Sequence, residues 1–84
     1  MNIKVTVKNA FDKIVYCVIS PDEDREKQFA EVLGCRPGQG FSARVYDDRV
    51  VLVDYFSGEN RATFPILSEE ACDLPVTLRW VSAE

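Results

Sequence analysis

Apolar and polar residues alternate most clearly at the start of the chain. Ile3, Val5 and Val7 are separated by single polar residues, the period of two that a half-buried strand shows. After a short turn, residues 14–19 are apolar without alternation, as in a strand that is covered on both faces. The two segments therefore predict a β-hairpin.

The strongest strand signal lies between residues 41 and 56. Residues 41–45 alternate between apolar and polar side chains, whereas residues 50–53 are four consecutive aliphatic side chains. Asp47 and Asp48 separate the two runs, and aspartate favours turns. We therefore predict a second hairpin, in which the first strand is half-buried and the second strand is central in the sheet.

One segment has the signals of a helix. In residues 20–23, Ser-Pro-Asp-Glu, the serine can cap the first amides, the proline suits the first helical position and the glutamate can return a bond to the cap. Phe29 and Val32 lie on one helical face, and Gly34 is typical of a residue that ends a helix. The pattern predicts a helix over residues 21–33.

The remaining third of the chain has weaker signals. Residues 61–66 predict a weak strand that Pro65 confines to a sheet edge, because proline has no N–H for the ladder. Residues 68–73, Ser-Glu-Glu-Ala-Cys-Asp, are interpreted as a single helical turn or an acidic loop. Alternation over residues 76–81 predicts a final strand.

These elements predict one α+β domain over residues 1–84. Its sheet is mainly antiparallel with about five strands, one helix packs on one face, and the element order is β-β-α-β-β-(β)-β. One helix with a short apolar stripe cannot cover such a sheet. The sheet therefore either curls into a half-open barrel or presents its uncovered face to another chain, and Phe56 and Trp80 are expected in the core.

Composition narrows the function classes. The chain has 84 residues, no histidine and a net charge of −4. Direct nucleic-acid binding would need a cluster of lysine and arginine residues, and the sequence contains no such cluster. Catalysis would lack any imidazole acid or base. We therefore expect neither nucleic-acid binding nor an enzyme. The longest apolar run, residues 14–19, is far shorter than a membrane span, and no signal peptide is visible, so we expect a cytoplasmic protein.

The three cysteines, Cys17, Cys35 and Cys72, form no C-x-x-C pair. We expect reduced thiols, with no metal and no cofactor, because a zinc site without histidine would need carboxylate ligands. Cys17 is expected in the core. Cys35 follows the predicted helix, whose negative end disfavours a thiolate, so we do not expect a nucleophile there.

Acidic residues concentrate in two places, the first half of the predicted helix and the segment 68–73. Part of this pattern needs no binding partner, because the helix dipole favours acidic residues near the start of a helix and such residues keep that face solvated. Tyrosines beside turns are frequent at interfaces. The candidate interaction residues are Asp22, Asp24, Glu26, Tyr46, Asp47, Asp48, Tyr55, Glu69 and Glu70.

Recognition of another protein is the leading hypothesis. In size, acidity and lack of catalytic residues the chain is similar to the small inhibitors that phages and mobile elements use against host nucleases and defence complexes, including anti-CRISPR proteins. This similarity implies stoichiometric action on a larger protein partner with a basic surface, such as a nucleic-acid-binding complex. The alternative is a non-catalytic subunit or a homodimer that uses an exposed sheet face or edge.

Overall fold

The computed structural model describes residues 1–83, and these form six strands and one helix. The elements are β1 (Asn2–Lys8), β2 (Ile14–Ile19), α1 (Arg25–Val32), β3 (Phe41–Val45), β4 (Arg49–Asp54), β5 (Asn60–Cys72) and β6 (Thr77–Ser82). The predicted α+β class and the predicted element order are confirmed. Within residues 1–83, no helix has the length and apolar character needed to cross a membrane.

All six strands belong to one curled, half-barrel sheet in the order β3-β4-β5-β1-β2-β6. Every neighbouring pair is antiparallel. Both predicted hairpins are present, with Lys8 opposite Ile14 in the first and Val45 opposite Val50 in the second. As predicted, β4 is central, since it lies between β3 and β5.

The strand predicted over residues 61–66 is present, but its predicted position at a sheet edge is wrong, and so is the interpretation of residues 68–73 as a helical turn or loop. Residues 60–72 form the 13-residue strand β5, which pairs first with β4 and then with β1. Pro65 lies where the partner changes. The N–H of Ile66 donates to Asp48 O on the β4 side, so the nitrogen of Pro65 faces the β1 side. Pairing with β1 starts only at Val7, opposite Ile66, so no ladder bond is lost at Pro65.

The helix covers the inside of the curl. It contacts β2 and also β3 and β6, which are the two edges of the sheet. The ring of Phe29 is fully buried with its centroid 6.4 Å from that of Trp80, and Trp80 lies 5.5 Å from Phe64. The buried cluster consists of Val5, Val7, Val15, Cys17, Ile19, Phe29, Val32, Ala43 and Val50. Curling therefore lets one short helix cover a sheet of six strands.

The helix begins four residues later than predicted, and Ser20 is not its cap. Asp24 is the N-cap, and its carboxylate accepts a hydrogen bond of 3.0 Å from the N–H of Lys27. The buried side chain of Gln28 explains the shift. Its amide accepts from Ser20 N–H at 2.8 Å and donates to Ser20 O at 2.9 Å, which holds the preceding segment outside the helix. Ser20 Oγ instead accepts from the N–H of Asp22.

The end of the helix is close to the predicted position. Leu33 is the C-cap and Gly34 follows with a φ of +78°. Cys35 N–H donates to Ala30 O at 2.8 Å and Gly34 N–H to Glu31 O at 3.0 Å, which is the bond pattern of a Schellman motif. Glycine is favoured at this position because a side chain would strain the left-handed conformation.

Replacing Asp24 tests the observed cap. We expect Asp24→Ala to lower the free energy of unfolding by about 1 kcal/mol, because an N-cap carboxylate satisfies an otherwise unpaired helix amide. Asp22→Ala is the matched control, since Asp22 is an exposed aspartate two residues earlier that caps nothing. Urea denaturation followed by circular dichroism measures both. Equal stability losses in the two variants would contradict the assignment of Asp24 as the cap.

The thiol of Cys17 gives the stability a dependence on alkaline pH. Burial raises the pKa of Cys17 from 9.0 to about 12, although the positive charge of Arg25 lowers it in part. As the pH rises, the Cys17 thiol ionises in the unfolded chain before it ionises in the folded protein. The free energy of unfolding is therefore unaffected by this thiol below about pH 9 and falls between pH 9 and pH 12. We expect wild type to lose more stability over that interval than Cys17→Val, as measured by urea denaturation. Parallel losses in the two proteins would refute this.

Candidate protein-interaction site

Side chains from three separate elements meet around one surface depression, which we call the acidic groove. The start of α1, the β3–β4 turn and the second half of β5 each contribute to it, and its volume is about 600 Å³. Its lining residues are Asp24, Arg25, Glu26, Val45, Tyr46, Asp47 and Glu69. Five of the nine candidate interaction residues are therefore brought together, although they lie far apart in sequence.

The helix start and the turn hold their side chains by local bonds. Asp24 is fixed as the N-cap of α1, and Glu26 lies in the first helical turn, where the helix dipole favours an acid. Tyr46 N–H donates to Arg49 O at 2.9 Å, and the guanidinium of Arg49 lies 4.1 Å from the centroid of the Tyr46 ring. Asp47 follows Tyr46 at the exposed tip of the hairpin.

Glu69 is positioned by an ion pair that the sequence analysis did not identify. Arg25 Nη2 lies 2.8 Å from Glu69 Oε1, and about a third of each side chain is exposed. The same guanidinium lies 5.5 Å from the centroid of the Phe29 ring. Side chains four residues apart are neighbours on a helix, so the spacing of Arg25 and Phe29 in the sequence was a signal for the contact between this guanidinium and the Phe29 ring. The ion pair links the first turn of α1 to β5.

The acidic groove is electrostatically negative. Four carboxylates face one guanidinium, and that guanidinium is already paired with Glu69. Within the described residues, no ion pair neutralises Asp24, Glu26 or Asp47. Such an arrangement attracts a cationic side chain and accelerates the approach of a positively charged surface.

The other four candidate residues lie outside the acidic groove. Asp22 is exposed before the helix, and Asp48 forms an ion pair of 2.8 Å with Arg49. Glu70 lies opposite Lys4, whereas its neighbour Glu69 lies opposite the buried Val5. Because residues 68–72 form a strand, Glu69 and Glu70 point to opposite faces of the sheet and cannot belong to one contact surface.

Tyr55 belongs to a second depression, which we call the aromatic groove. It lies between the last turns of α1, the loop that follows the helix and the end of β4, and has a volume of about 600 Å³. Phe41, Tyr55 and Phe56 line it with exposed fractions of 42%, 72% and 83%. The two neighbouring rings of Tyr55 and Phe56 meet edge to face at 5.6 Å.

The expectation that Phe56 lies in the core is therefore wrong, whereas Trp80 does pack against the core. Strand β4 ends at Asp54, whose carboxylate accepts hydrogen bonds from the N–H groups of Phe56 and Ser57. The hydrogen bond from the Arg61 guanidinium, together with these two backbone bonds, lowers the pKa of Asp54. The chain turns there, and the ring of Phe56 lies over Gly40, where an added Cβ would come within 2.7 Å of it.

Groups suited to metal binding or nucleophilic chemistry are sparse in the described chain. Among residues 1–83, no three histidine, cysteine, aspartate or glutamate side chains are placed to hold a metal ion. Cys35 lines the aromatic groove, and burial raises the pKa of its thiol. The protonated thiol is therefore favoured at neutral pH, which weakens Cys35 as a nucleophile.

Comparisons with known protein families, curated proteins and solved structures find no match for this chain.

The ion pair between Arg25 and Glu69 can be measured with a double-mutant cycle. We expect a coupling free energy of about 0.5–1 kcal/mol from Arg25→Ala, Glu69→Ala and the double variant, because both partners are partly exposed. Lys4 and Glu70, which lie opposite each other on the outer face, form the control pair, for which we expect a smaller coupling. Urea denaturation at low and high salt provides the values. A coupling near zero at low salt would show that the contact does not fasten the helix to β5.

Proposed function

We propose that this protein is a small acidic interaction module that acts stoichiometrically on a larger protein with a basic surface. The observation that carries the proposal is the convergence of Asp24, Glu26, Tyr46, Asp47 and Glu69 around one groove. Among the described residues, Glu26 and Asp47 form no ion pair in this groove, so their charges are available to a partner. A negative groove flanked by a tyrosine supplies both electrostatic steering and contact area for a partner.

The biological setting that we propose is inhibition of a host nuclease or defence complex by a phage or mobile element, as for anti-CRISPR proteins. Enzymes and complexes of that kind carry basic surfaces for nucleic acid, and an acidic module can occupy such a surface. We propose no direct nucleic-acid binding, no catalytic activity and no cofactor. The three cysteines are free thiols, which supports the cytoplasmic location that we propose.

A second candidate function is supported by the aromatic groove. Three exposed aromatic rings in one depression are typical of surfaces that bury themselves against another chain. In this alternative the protein is a non-catalytic subunit or a homodimer that associates through Phe41, Tyr55 and Phe56. Sedimentation of the purified protein over a range of concentrations distinguishes a homodimer from a monomeric module.

Charge reversal within the acidic groove tests the leading proposal. In Glu26→Lys/Asp47→Lys, the cap formed by Asp24 and the ion pair of Glu69 both remain intact. We expect this variant to stay folded but to associate with the partner about tenfold more slowly at low salt, with a smaller difference at high salt. The partner is captured from lysate of the source cells with tagged wild-type protein, identified by mass spectrometry and then used in stopped-flow association measurements.

The matched control for this experiment is Asp22→Lys/Asp73→Lys. It changes the net charge by the same amount at two exposed positions outside the acidic groove. We expect it to retain most of the wild-type association rate. If both double variants slow association equally, overall charge and not the acidic groove governs binding, and the proposal fails.

A further inference from the structure

The aromatic groove presents exposed rings on a rigid support. Tyr55 and Phe56 lie on a turn that Asp54 holds, since its carboxylate accepts from Phe56 N–H at 2.9 Å and its carbonyl accepts from Gly58 N–H at 2.8 Å. Tyr55 N–H also donates to Gly40 O at 2.7 Å. Groups whose backbone is already fixed lose little conformational freedom when a partner covers them, which favours binding.

A third depression joins the aromatic groove to the acidic groove. Its volume is about 500 Å³, and it shares Tyr46 with the acidic groove and Tyr55 with the aromatic groove. The two grooves lie towards opposite ends of β3, because Val45 lines the first and Phe41 lines the second. These two residues are four strand positions apart, about 13 Å at the rise of a strand. One partner surface of ordinary size can therefore cover both grooves.

The two grooves differ in charge and therefore favour different side chains. Four carboxylates make the acidic groove negative. Around the aromatic groove, Lys27 and Arg36 outnumber the single carboxylate of Glu31, and within residues 1–83 none of these three side chains forms an ion pair. A cationic side chain is therefore attracted to the acidic groove and repelled from the aromatic groove, where an uncharged apolar side chain is favoured.

We propose that the basic surface of the partner carries a large apolar side chain that packs against Phe41, Tyr55 and Phe56 while a neighbouring cationic side chain occupies the acidic groove. The acidic groove steers the encounter and the aromatic groove holds the complex, because charges act mainly on association and desolvated apolar contacts act mainly on dissociation. The inference rests on the proposed function and deepens it, since it assigns the aromatic groove to the same partner and not to a second copy of this chain.

Stopped-flow measurements on the captured partner separate steering from holding. We expect Phe56→Ala to raise the dissociation rate constant about tenfold and to leave the association rate constant within about twofold of wild type. Phe11→Ala is the matched control. Phe11 is 82% exposed in the β1–β2 turn and lines neither groove, whereas Phe56 is 83% exposed. We expect the control to leave both rate constants unchanged.

A second variant separates binding from local folding, because the ring of Phe56 lies over Gly40 and its removal could disturb the turn. Tyr55→Ala removes an exposed ring but keeps the N–H that donates to Gly40 O. We expect this variant also to raise the dissociation rate constant, by about three- to tenfold. Circular dichroism and urea denaturation verify that both variants fold.

A synthetic peptide tests the same chemistry without the partner protein. Acetyl-Arg-Arg-Gly-Ser-Gly-Ser-Phe-amide joins two cations to one apolar ring through a flexible linker, whose root-mean-square span of about 11 Å suits the separation of the grooves. Fluorescence anisotropy of labelled peptides measures binding to the purified protein. We expect this peptide to bind about tenfold more tightly than the same peptide with alanine in place of phenylalanine. Replacing both arginines by glutamate should abolish binding.

NMR locates the apolar side chain of the bound peptide. We expect nuclear Overhauser effects between the phenylalanine ring of the peptide and the rings of Phe41, Tyr55 and Phe56. If the peptide does not bind, if its phenylalanine adds no affinity, or if that ring contacts another part of the protein, the inference is overturned. Dimerisation of the free protein that Phe56→Ala abolishes would identify a second copy of this chain as the occupant and would also overturn it.

These outcomes are separate from those that test the proposed function. Slow association of Glu26→Lys/Asp47→Lys, with wild-type dissociation of Phe56→Ala, would retain the acidic module and reject the apolar contact. Fast dissociation of Phe56→Ala, with wild-type association of the charge-reversal variant, would reject the acidic module and with it the paired contact inferred here. Wild-type rate constants in both variants would reject both proposals. Slow association in the first and fast dissociation in the second support the two proposals together.

Discussion

The closure of a curled sheet by one short helix is the constraint on which the rest of the structure depends. Phe29 links the helix to Trp80 on the edge strand β6, and Trp80 links that edge to Phe64 on β5. Full burial of a side chain of this size contributes about 1.5–3 kcal/mol. The helix lies between the two edge strands of the sheet, β3 and β6, and without it the inner face of the sheet would be exposed to water. The position of the helix is therefore set by the core, and the surface features follow from it.

The acidic groove is a product of this closure. It exists because the start of the helix comes close to the β3–β4 turn and to the second half of β5. Gln28 determines where that start lies, since its amide bonds hold Ser20 outside the helix. Arg25 then faces β5 and reaches Glu69. A buried glutamine and a half-buried ion pair thus connect the core to the surface that we propose for binding.

Sequence patterns predicted the elements whose signals are local. Alternation in β1, the aliphatic run in β4 and the glycine after the helix each depend on neighbouring residues, and these elements are present. The errors arose where a distant contact decides the outcome. Residues 68–72 have the composition of a loop, yet pairing with β1 makes them a strand. Ser20 has the better capping sequence, yet Gln28 transfers the cap to Asp24.

The candidate site follows the same division. The acidic residues at the helix start and in the β3–β4 turn were identified from composition, but their proximity to Glu69 depends on the curl of the sheet. Phe56 was assigned to the core because aromatic side chains dominate protein cores, and the bonds to the Asp54 carboxylate reverse that assignment. No signal in the sequence placed β3 at a sheet edge, because strand order depends on pairing between distant segments.

The long strand β5 has a consequence for how the chain folds during synthesis. Both hairpins are local, but they join only through β5, whose second half pairs with residues more than 60 positions earlier. The β1–β2 hairpin therefore leaves the ribosome with both outer edges open, and most of the chain must follow before β5 covers the edge of β1 and β6 covers the edge of β2. Non-local pairing of this kind slows folding. Lys4 and Lys8, the charged residues of β1, protect the edge of β1 from pairing with other nascent chains.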